Sequence, residues 1–377
     1  MTFSLLNDII NNRIIYHHWR NEMASHAVKQ KKTSALSILL RILCVLLTTL
    51  VLLVILLYFV MYLLCRGPSP TARDLFVRSV RETSAIGFLA NLYLSDEEIA
   101  EIEKAEEIAV EETDTSLITV KTELSSSAEG HYRDDWGYTD DDDDGLILVS
   151  VPGETYTGYM LIVLDPSRVV LGCNPDMLGA KGYTVAQYVE MFDAVAGING
   201  GGFDDPNGQG NGSMPDCAIV SGGEVYCAWQ GIGKGFVGID QDDILQVGFT
   251  STEELKTRKI RDGTGYGPVL VANGESVDPD KLVSGLNPRT AIGQRSDGAI
   301  LLLVIYGRQP NSLAATYLDE AEIMLRFGAV NACNLDGGSS SLLWFRGEYI
   351  NNNASVIGIR PIPTSFVVLK EGRADGK

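Results

Sequence analysis

The chain has 377 residues, of which 45% are hydrophobic and 21% are charged, a composition typical of a globular protein of about one to three domains. The formal net charge of -19 excludes proteins that bind nucleic acid mainly by neutralising phosphates with Lys and Arg. Three of the four histidines lie in the first 26 residues, which excludes a His-rich zinc site further along and leaves His131 alone for a Ser-His-Asp triad.

An apolar run over residues 42–64 contains 23 residues without a charge. As a helix it would be about 35 Å long, enough to cross the hydrocarbon core of a bilayer. It is too long, and begins too far into the chain, for a cleaved signal peptide. The slight excess of Lys and Arg before the run predicts that residues 1–41 are cytoplasmic and that the main domain is extracellular, on a single-pass protein of the cell membrane.

A membrane-proximal segment, residues 65–130, follows the apolar run. Residues 71–91 have helical spacing, and a Ser-x-x-Glu capping box begins a second predicted helix over 95–112. Residues 113–130 are polar and rich in Ser, which is typical of a linker. The two helices either form a stalk at the membrane or belong to the main domain, and the sequence leaves both interpretations open.

An acidic loop comes next, in which Asp140, Asp142, Asp144 and Gly145 repeat the D-x-D-x-D-G spacing that opens an EF-hand calcium loop. The twelfth position is Val151, where an EF-hand has a bidentate Glu. A solvated acidic turn is therefore the preferred interpretation, and weak Ca²⁺ binding is the alternative. We expect no other cofactor, and the sequence leaves open whether the site requires a metal.

Short β-runs separated by Gly, Asn and Pro follow from Gly145 onward, and helical periodicity is rare. The two helical stretches are residues 184–192 and a segment with an N-cap at Thr316 that ends at Gly328. The pattern predicts an α+β fold with an N-terminal transmembrane helix, a helical stalk and a β-rich, mixed-sheet domain over residues 131–377 with few helices.

Cys217 and Cys227 flank a predicted β-hairpin that turns at residues 221–224. A three-residue loop would place the two sulfurs opposite each other and permit a disulfide. A two-residue loop would place them on opposite faces of the hairpin, where none can form. Both arrangements remain open at this stage.

Three predicted strands end in polar, glycine-rich sequence, where backbone N–H groups can approach a ligand closely. The residues at these strand ends are Asn199, Gly200 and Gly201 in the first, Tyr306 and Arg308 in the second, and Asp336, Gly337, Gly338, Ser339 and Ser340 in the third. A helix joins the second strand to the third, which predicts parallel strands whose ends share one sheet edge, where ligands bind. Each segment alone is also typical of an ordinary turn.

Arg289 precedes an apolar strand in an acidic domain, where it is either a surface ion-pair partner or the cation that an anionic ligand requires.

Five motifs occur in an order that resembles the phosphodiester glycosidase family. They are I-N-G-G-G-F at 198–203, Y-G-P-V-L at 266–270, N-P-R-T-A-I-G at 287–293, G-R at 307–308 and N-L-D-G-G-S-S at 334–340. The resemblance covers about residues 156–369. Within the family, it is to the group that contains the uncovering enzyme. The N-terminal span resembles that of the membrane-anchored bacterial branch, whose members are described as exopolysaccharide-related.

The resemblance implies hydrolysis of a sugar-1-phosphodiester in cell-envelope or exopolysaccharide glycans, and no nucleic-acid partner. It implies that Arg289 holds the phosphate, that Asp336 is the carboxylate at the sugar, and that Asn199 with Ser339 or Ser340 orients sugar or water. A phosphodiester is a good leaving group, so a strong general acid is less necessary than in other glycosidases. The remaining substrate-binding residues are expected to be Gly200, Gly201, Gly337, Gly338, Tyr306 and Arg308.

Two positions depart from the family pattern, because Tyr306 stands where D-G-R is usual and Ala314 stands where we expect glycine. An active enzyme is the preferred interpretation, since Arg289 and Asp336 are both present. The alternatives are a non-catalytic glycan-binding or polysaccharide-assembly factor and a structural interaction protein. The aromatic side chains that could stack on sugars are Phe203, Tyr226, Trp229 and Trp344.

Overall fold

The structure is a computed structural model and describes residues 35–83, 86–104, 112–121, 132–174, 181–204, 210–227, 235–249, 251–355 and 358–372. The chain divides into two compact units, residues 1–62 and residues 63–377.

Helix α1, Ala35–Arg66, contains the whole apolar run predicted over 42–64. Most of its hydrophobic side chains are exposed, whereas Met61 and Cys65 near its end are buried. Its most apolar window has a mean hydropathy of 3.0. Among the described residues, α1 is the one helix that is long enough and apolar enough to cross a membrane. A transmembrane span and a signal sequence both have this property.

Three short helices follow: α2 (Pro70–Arg81), α3 (Phe88–Asn91) and α4 (Asp96–Glu103). The capping box of α4 is confirmed, because Ser95 and Glu98 each accept a hydrogen bond from the other's backbone N–H. The prediction of a single helix over 71–91 is wrong, because two separate helices, α2 and α3, lie in this range. Helix α2 ends at Arg81, and the side chains of Glu82 and Thr83 then bond the main domain.

The segment predicted to be a linker also contacts the main domain where it is described. The Thr113 hydroxyl donates to the carbonyl of Val247 (3.3 Å), and the Thr119 N–H donates to the carbonyl of Ser296 (2.8 Å). Residues 105–111 and 122–131, which include His131, lie outside the described residues.

The strands, in chain order, are β1 (Tyr132–Arg133), β2 (Thr139–Asp140), β3 (Leu146–Pro152), β4 (Thr157–Val163), β5 (Val169–Cys173), β6 (Ala194–Asn199), β7 (Ile219–Ser221), β8 (Glu224–Cys227), β9 (Gly235–Asp240), β10 (Leu245–Gln246), β11 (Ile260–Tyr266), β12 (Val269–Ala272), β13 (Glu275–Ser276), β14 (Arg289–Arg295), β15 (Ile300–Tyr306), β16 (Ala329–Asn334), β17 (Leu343–Phe345), β18 (Glu348–Tyr349) and β19 (Thr364–Leu369). Three helices lie among them: α5 (Val185–Met191), α6 (Thr252–Thr257) and α7 (Tyr317–Arg326).

The β-rich α+β domain with few helices is confirmed. A seven-stranded sheet has the order β13-β12-β16-β14-β15-β4-β3, and two five-stranded sheets have the orders β10-β9-β11-β7-β8 and β18-β17-β6-β19-β5. The first two strands, β1 and β2, form a separate two-stranded ribbon. Helices α5 and α7 match the two predicted segments, whereas α6 has only six residues and is too short for periodicity to reveal.

The strands on either side of α7, β15 and β16, run in the same direction, as expected. They are not neighbours, however, because β14 lies between them and pairs antiparallel with both. Neighbouring strands are antiparallel throughout the described sheets, so the mixed pairing expected from the crossover is absent there. A periodicity argument gives the direction of a crossover but not the number of strands that it spans.

The central sheet is buried on both faces, which explains the fully apolar sequence of β15. One face joins the other two sheets in a core that includes Leu302, Val304 and Ile292. The opposite face packs against α7 through Leu301, Leu303 and neighbouring apolar residues.

The β7–β8 hairpin turns at Gly222 and Gly223, whose positive φ values of 58° and 81° fit a two-residue turn. Cys227 pairs in register with Ile219, and no disulfide joins Cys217 to Cys227 in this described hairpin. The tighter of the two loops considered from the sequence is therefore the one that forms.

Candidate functional site

The end of β6, the start of β14 and the end of β16 meet at one place in the fold. The N–H of Leu335 donates to the carbonyl of Thr290 (2.7 Å), and the N–H of Asp336 donates to the carbonyl of Gly200 (3.1 Å). Two of the three polar strand ends predicted from the sequence are thus joined by backbone hydrogen bonds.

Asn199 holds these strand ends together from a position with no solvent exposure. Its side-chain amide donates to the backbone carbonyl of Asp336 (2.5 Å), and its amide oxygen accepts from the Thr290 hydroxyl (2.8 Å). Both ends of the amide are therefore engaged within the protein, and Asn199 fixes the backbone that carries the Asp336 carboxylate.

The glycines at these ends have close internal neighbours. The N–H groups of Gly200 and Gly201 donate to the backbone and hydroxyl oxygens of Thr364, both at 2.9 Å. Gly338 likewise donates to the carbonyl of Pro288 (2.8 Å). These N–H groups form hydrogen bonds within the protein. Glycine at these positions therefore allows neighbouring backbone segments to approach closely.

Asp336 is half-buried, and its Oδ1 accepts the N–H of Gly337 (2.9 Å). Burial raises the pKa of the Asp336 carboxyl to about 6, and nearby Asp216 raises it further, whereas Ser340 and Arg360 oppose the increase by stabilising the ionised form. A carboxyl that titrates close to neutrality suits acid–base work near physiological pH.

A second cation, Arg360, lies on this side of the site. Its guanidinium donates to the Ser339 hydroxyl (3.0 Å) and stacks 4.6 Å from the centre of the Phe203 ring. Sequence reasoning missed it, because Arg360 lies in a segment without a motif.

Gly202, Asp216 and Tyr266 pack closely behind the carboxylate. A Cβ atom at Gly202 would lie 2.5 Å from the Tyr266 ring and 2.6 Å from an Asp216 carboxylate oxygen, so only glycine fits. Burial holds the pKa of the Tyr266 hydroxyl well above its usual value, with further increases from Tyr317 and Asp336. The hydroxyl is therefore protonated at neutral pH and is available as a donor.

Arg289, the predicted phosphate ligand, is buried, with 3% of its surface exposed. Its guanidinium lies 4.1 Å from the centre of the Tyr317 ring and donates to the carbonyls of Ala315 (3.1 Å) and Gly285 (2.7 Å). Burial opposes its charge, but Tyr317 and Glu82 outweigh that effect and raise the pKa of the guanidinium. The cation is rigidly held.

Glu82, which follows α2, supplies the anion at this guanidinium. One carboxylate oxygen accepts the N–H of Gly285 (2.7 Å), and the other accepts from the Asn287 amide (2.8 Å) and from Arg289 (2.9 Å). A Cβ at Gly285 would lie only 2.2 Å from the N atom of Ser79, so the loop fits closely against α2. We call the donor group formed by Gly285, Asn287 and Arg289 the anion cradle, because backbone N–H, amide and guanidinium donors are those that bind phosphate.

Arg308, at the end of β15, lies beside the anion cradle. It donates to the hydroxyl of Thr83 (2.9 Å) and to the side-chain oxygen of Asn287 (3.0 Å). It also lies 3.6 Å from the position that a Cβ would take at Gly338. The third polar strand end therefore reaches both the anion cradle and the glycine loop after Asp336.

Tyr306 is placed differently from the other predicted site residues. It is 7% exposed, its ring stacks on Tyr159 at a centroid distance of 6.3 Å, and its hydroxyl accepts from Asn311 (3.3 Å). The side chain that stands where the family has Asp is therefore packed against the sheet. Ala314, where glycine was expected, has a φ of 145°, in the region that favours glycine.

The structure brings Asn199 into contact with Asp336, but it shows no bond between Asp336 and Arg289 among the described residues. The two charged groups act on a common neighbour, since Asp336 raises and Arg289 lowers the pKa of Tyr266. Glu82 and Asp216 were also missed by sequence reasoning. Neither lies in a recognisable motif, and each reaches the site only through folding.

The aromatic side chains expected to stack on sugars have separate locations. Phe203 is buried beside Arg360, Trp344 packs edge-on against Tyr349, and Tyr226 is 49% exposed. Trp229 lies outside the described residues.

Residues 192–369 match the phosphodiester glycosidase family. The match covers slightly less than half of the chain. The match contains Asn199, Arg289 and Asp336, together with all five motifs that carried the resemblance.

Similar proteins extend this finding. The mouse N-acetylglucosamine-1-phosphodiester alpha-N-acetylglucosaminidase is 25% identical over 52% of this chain and 41% of its own length, and the bovine protein is 28% identical over 44% and 33%. An SPbeta prophage-derived protein of Bacillus subtilis is 46% identical over 24% of this chain and 14% of its own. The chain thus spans about two-fifths or less of the length of these relatives.

The fold is shared with a solved structure, the zebrafish N-acetylglucosamine-1-phosphodiester alpha-N-acetylglucosaminidase catalytic domain auto-inhibited by its pro-peptide. The TM-score is 0.50 at 20% identity, over 59% of this chain and 82% of the zebrafish chain.

Proposed function

We propose that the protein hydrolyses a sugar-1-phosphodiester, at the outer surface of a membrane, in cell-envelope or exopolysaccharide glycans. The named activity of the mammalian relatives supports this substrate class. The observation that carries the proposal is that the Asp336 carboxyl, with a pKa of about 6, and the anion cradle at Arg289 share one electrostatic neighbour, Tyr266.

The proposed roles follow from the chemistry of each group. Arg289 and the other donors of the anion cradle hold the phosphate and stabilise the charge that it gains as the bond to the anomeric carbon breaks. The ionised Asp336 stabilises the positive charge that develops on the sugar. A water oxygen ends on the anomeric carbon, and the phosphate leaves as a monoester with the electron pair of the broken bond. One water proton stays on the new sugar hydroxyl, and the other passes to the phosphate oxygen or to solvent.

Tyr266 has a supporting role in this proposal. The charges of both Asp336 and Arg289 influence the pKa of its hydroxyl, and we propose that this hydroxyl donates to an oxygen of the substrate. Asn199 acts through the backbone of Asp336 and keeps the carboxylate in place.

The contact between Glu82 and the anion cradle gives the proposed site a closed state. The zebrafish relative is described as auto-inhibited by its pro-peptide. In this chain the carboxylate after α2 takes the three donors that a phosphate would use. We propose that substrate binds only when Glu82 leaves the anion cradle.

A non-catalytic glycan-binding function is the second candidate, and the packed position of Tyr306 favours it, because the family's Asp is missing there. The test is release of free sugar from a sugar-1-phosphodiester by the full chain in detergent micelles. An enzyme releases sugar and phosphomonoester in equal amounts, whereas a binding protein retains the intact diester. Absence of release from both the wild type and a Glu82 variant would overturn the enzymatic proposal.

A further inference from the structure

The acidic loop between β2 and β3 draws three carboxylates together, outside the part of the chain that matches the family. Oxygens of Asp140, Asp142 and Asp144 lie within 4.8 Å of one another. The loop turns sharply at Gly145, which has a φ of 80° and donates its N–H to Oδ2 of Asp140 (2.8 Å). Asp144 is fixed in turn, because its Oδ1 accepts the N–H of Leu146 (3.0 Å).

Asp140 is the unusual member of this group. It is 2% exposed, and its Oδ1 has no hydrogen-bond partner among the described residues. A buried carboxylate oxygen without a donor is costly, and a cation placed among the three carboxylates would satisfy it.

Arg346 already lies at the outer side of the loop. Its guanidinium is 2.6 Å from Oδ2 of Asp142 and from Oδ2 of Asp144, and 43% of its side chain is exposed. Its ion pairs are with the two exposed carboxylates. A second guanidinium, of the buried Arg168, donates to the backbone carbonyl of Asp144 (2.6 Å). Neither arginine bonds the buried Oδ1 of Asp140.

We propose that Asp140, Asp142 and Asp144 bind a calcium ion, with Arg346 as a competing cation. Carboxylate oxygens on an irregular loop suit Ca²⁺, which accepts variable geometry, better than Mg²⁺, which requires a near-octahedral set. The absence of a bidentate Glu at Val151 places the expected Kd in the range of extracellular sites, about 10⁻⁴ to 10⁻³ M. The proposal does not depend on the catalytic role of Asp336.

The test is calcium titration of the full chain in neutral detergent micelles, followed by calorimetry and by the thermal unfolding midpoint. We expect saturable binding of Ca²⁺ and a higher midpoint at about 10 mM Ca²⁺ than at the same concentration of Mg²⁺. Asp142→Asn removes an exposed ligand, with little risk to folding, and should weaken binding at least about tenfold, a loss of about 1.4 kcal/mol. Asp141→Asn, which removes one charge from the same loop outside the triad, is the matched control and should change the Kd less than about twofold.

Two further variants separate a site from general attraction to acidic residues. Asp140→Asn should abolish saturable binding, and Arg346→Gln should strengthen it, because the competing cation is lost. If Asp140→Asn fails to fold, the pair Asp142→Asn and Asp141→Asn still decides the question. Equal weakening by those two variants, or no saturable binding by the wild type, would overturn the proposal.

Discussion

Glu82 and Arg289 form an ion pair at 2.9 Å although 207 positions separate them in the chain. The contact joins the end of α2 to the residue expected to hold the substrate phosphate. Glu82 is 30% exposed and Arg289 is buried, so the carboxylate is the partner that can leave.

Replacing Glu82 with Gln should increase the release of sugar from a sugar-1-phosphodiester, because a neutral amide competes less well than a carboxylate for the guanidinium. We expect about a three- to thirtyfold lower KM, with kcat changed less. Glu103→Gln removes a charge from an exposed ion pair with Arg81 in the same region, and its kinetics should match the wild type. Equal KM values for the wild type and Glu82→Gln would show that Glu82 does not compete with substrate.

Arg289→Lys should reduce turnover about ten- to a thousandfold, equivalent to about 1.4–4 kcal/mol of transition-state stabilisation. Lysine keeps the charge but loses the planar fork that now reaches Ala315, Gly285 and Glu82. The control is Arg326→Lys at an exposed position of α7, which should leave turnover unchanged. Near-normal activity of a folded Arg289→Lys protein would contradict the role of Arg289 and would make Arg308 and Arg360 the candidates for binding the phosphate.

Activity should rise with pH through a midpoint of about 6, because the proposed role of Asp336 requires its ionised form. Asp336→Asn should lower turnover at least as much as Arg289→Lys does. The residual activity of Asp336→Asn should also lose the acid limb of the pH profile. An acid limb unchanged in this variant would assign the titration to another group.

The same titration predicts an effect on stability. The folded pKa of about 6 lies above the ordinary value of 3.8, so the folded protein binds a proton more tightly than the unfolded chain does. The contribution of Asp336 to stability is therefore greatest below about pH 4 and is lost as the pH rises through about 6. Asp336→Asn should unfold at a higher temperature than the wild type at pH 7, and the difference should shrink at pH 4, as calorimetry can measure.

The sequence also predicts the topology of the chain in the membrane. Protease added to intact cells should degrade residues after Cys65 and spare about the first 40 residues, because the basic excess favours a cytoplasmic N-terminus. Fragments can be identified with antibodies to each end. Protection of the large domain from the protease would show that the orientation is the opposite of the predicted one.

Local pattern was sufficient for much of the fold. The capping residue Thr316 and the apolar sequence of β15 correctly predicted α7 and a buried strand, since both signals depend on residues a few positions apart. The direction of β16 followed from the crossover. The position of β14 between the two strands did not, because strand order depends on long-range packing.

The candidate site was predictable only in part, for the same physical reason. Motifs pointed to Asn199, Arg289 and Asp336, which lie at strand ends. The partners Glu82 and Arg360 come from segments without a motif, and only tertiary contacts show what their side chains meet.

Because Glu82 belongs to the same chain as the anion cradle, it competes with substrate at an effective concentration fixed by the tether. Dilution of the protein leaves that competition unchanged, in contrast to inhibition by a separate molecule. The measured affinity for a diester is then the intrinsic affinity multiplied by the fraction of molecules in which Glu82 has left. Any force or partner that moves α2 away from the loop at Gly285 would then change the proposed activity without altering a residue proposed to touch the substrate.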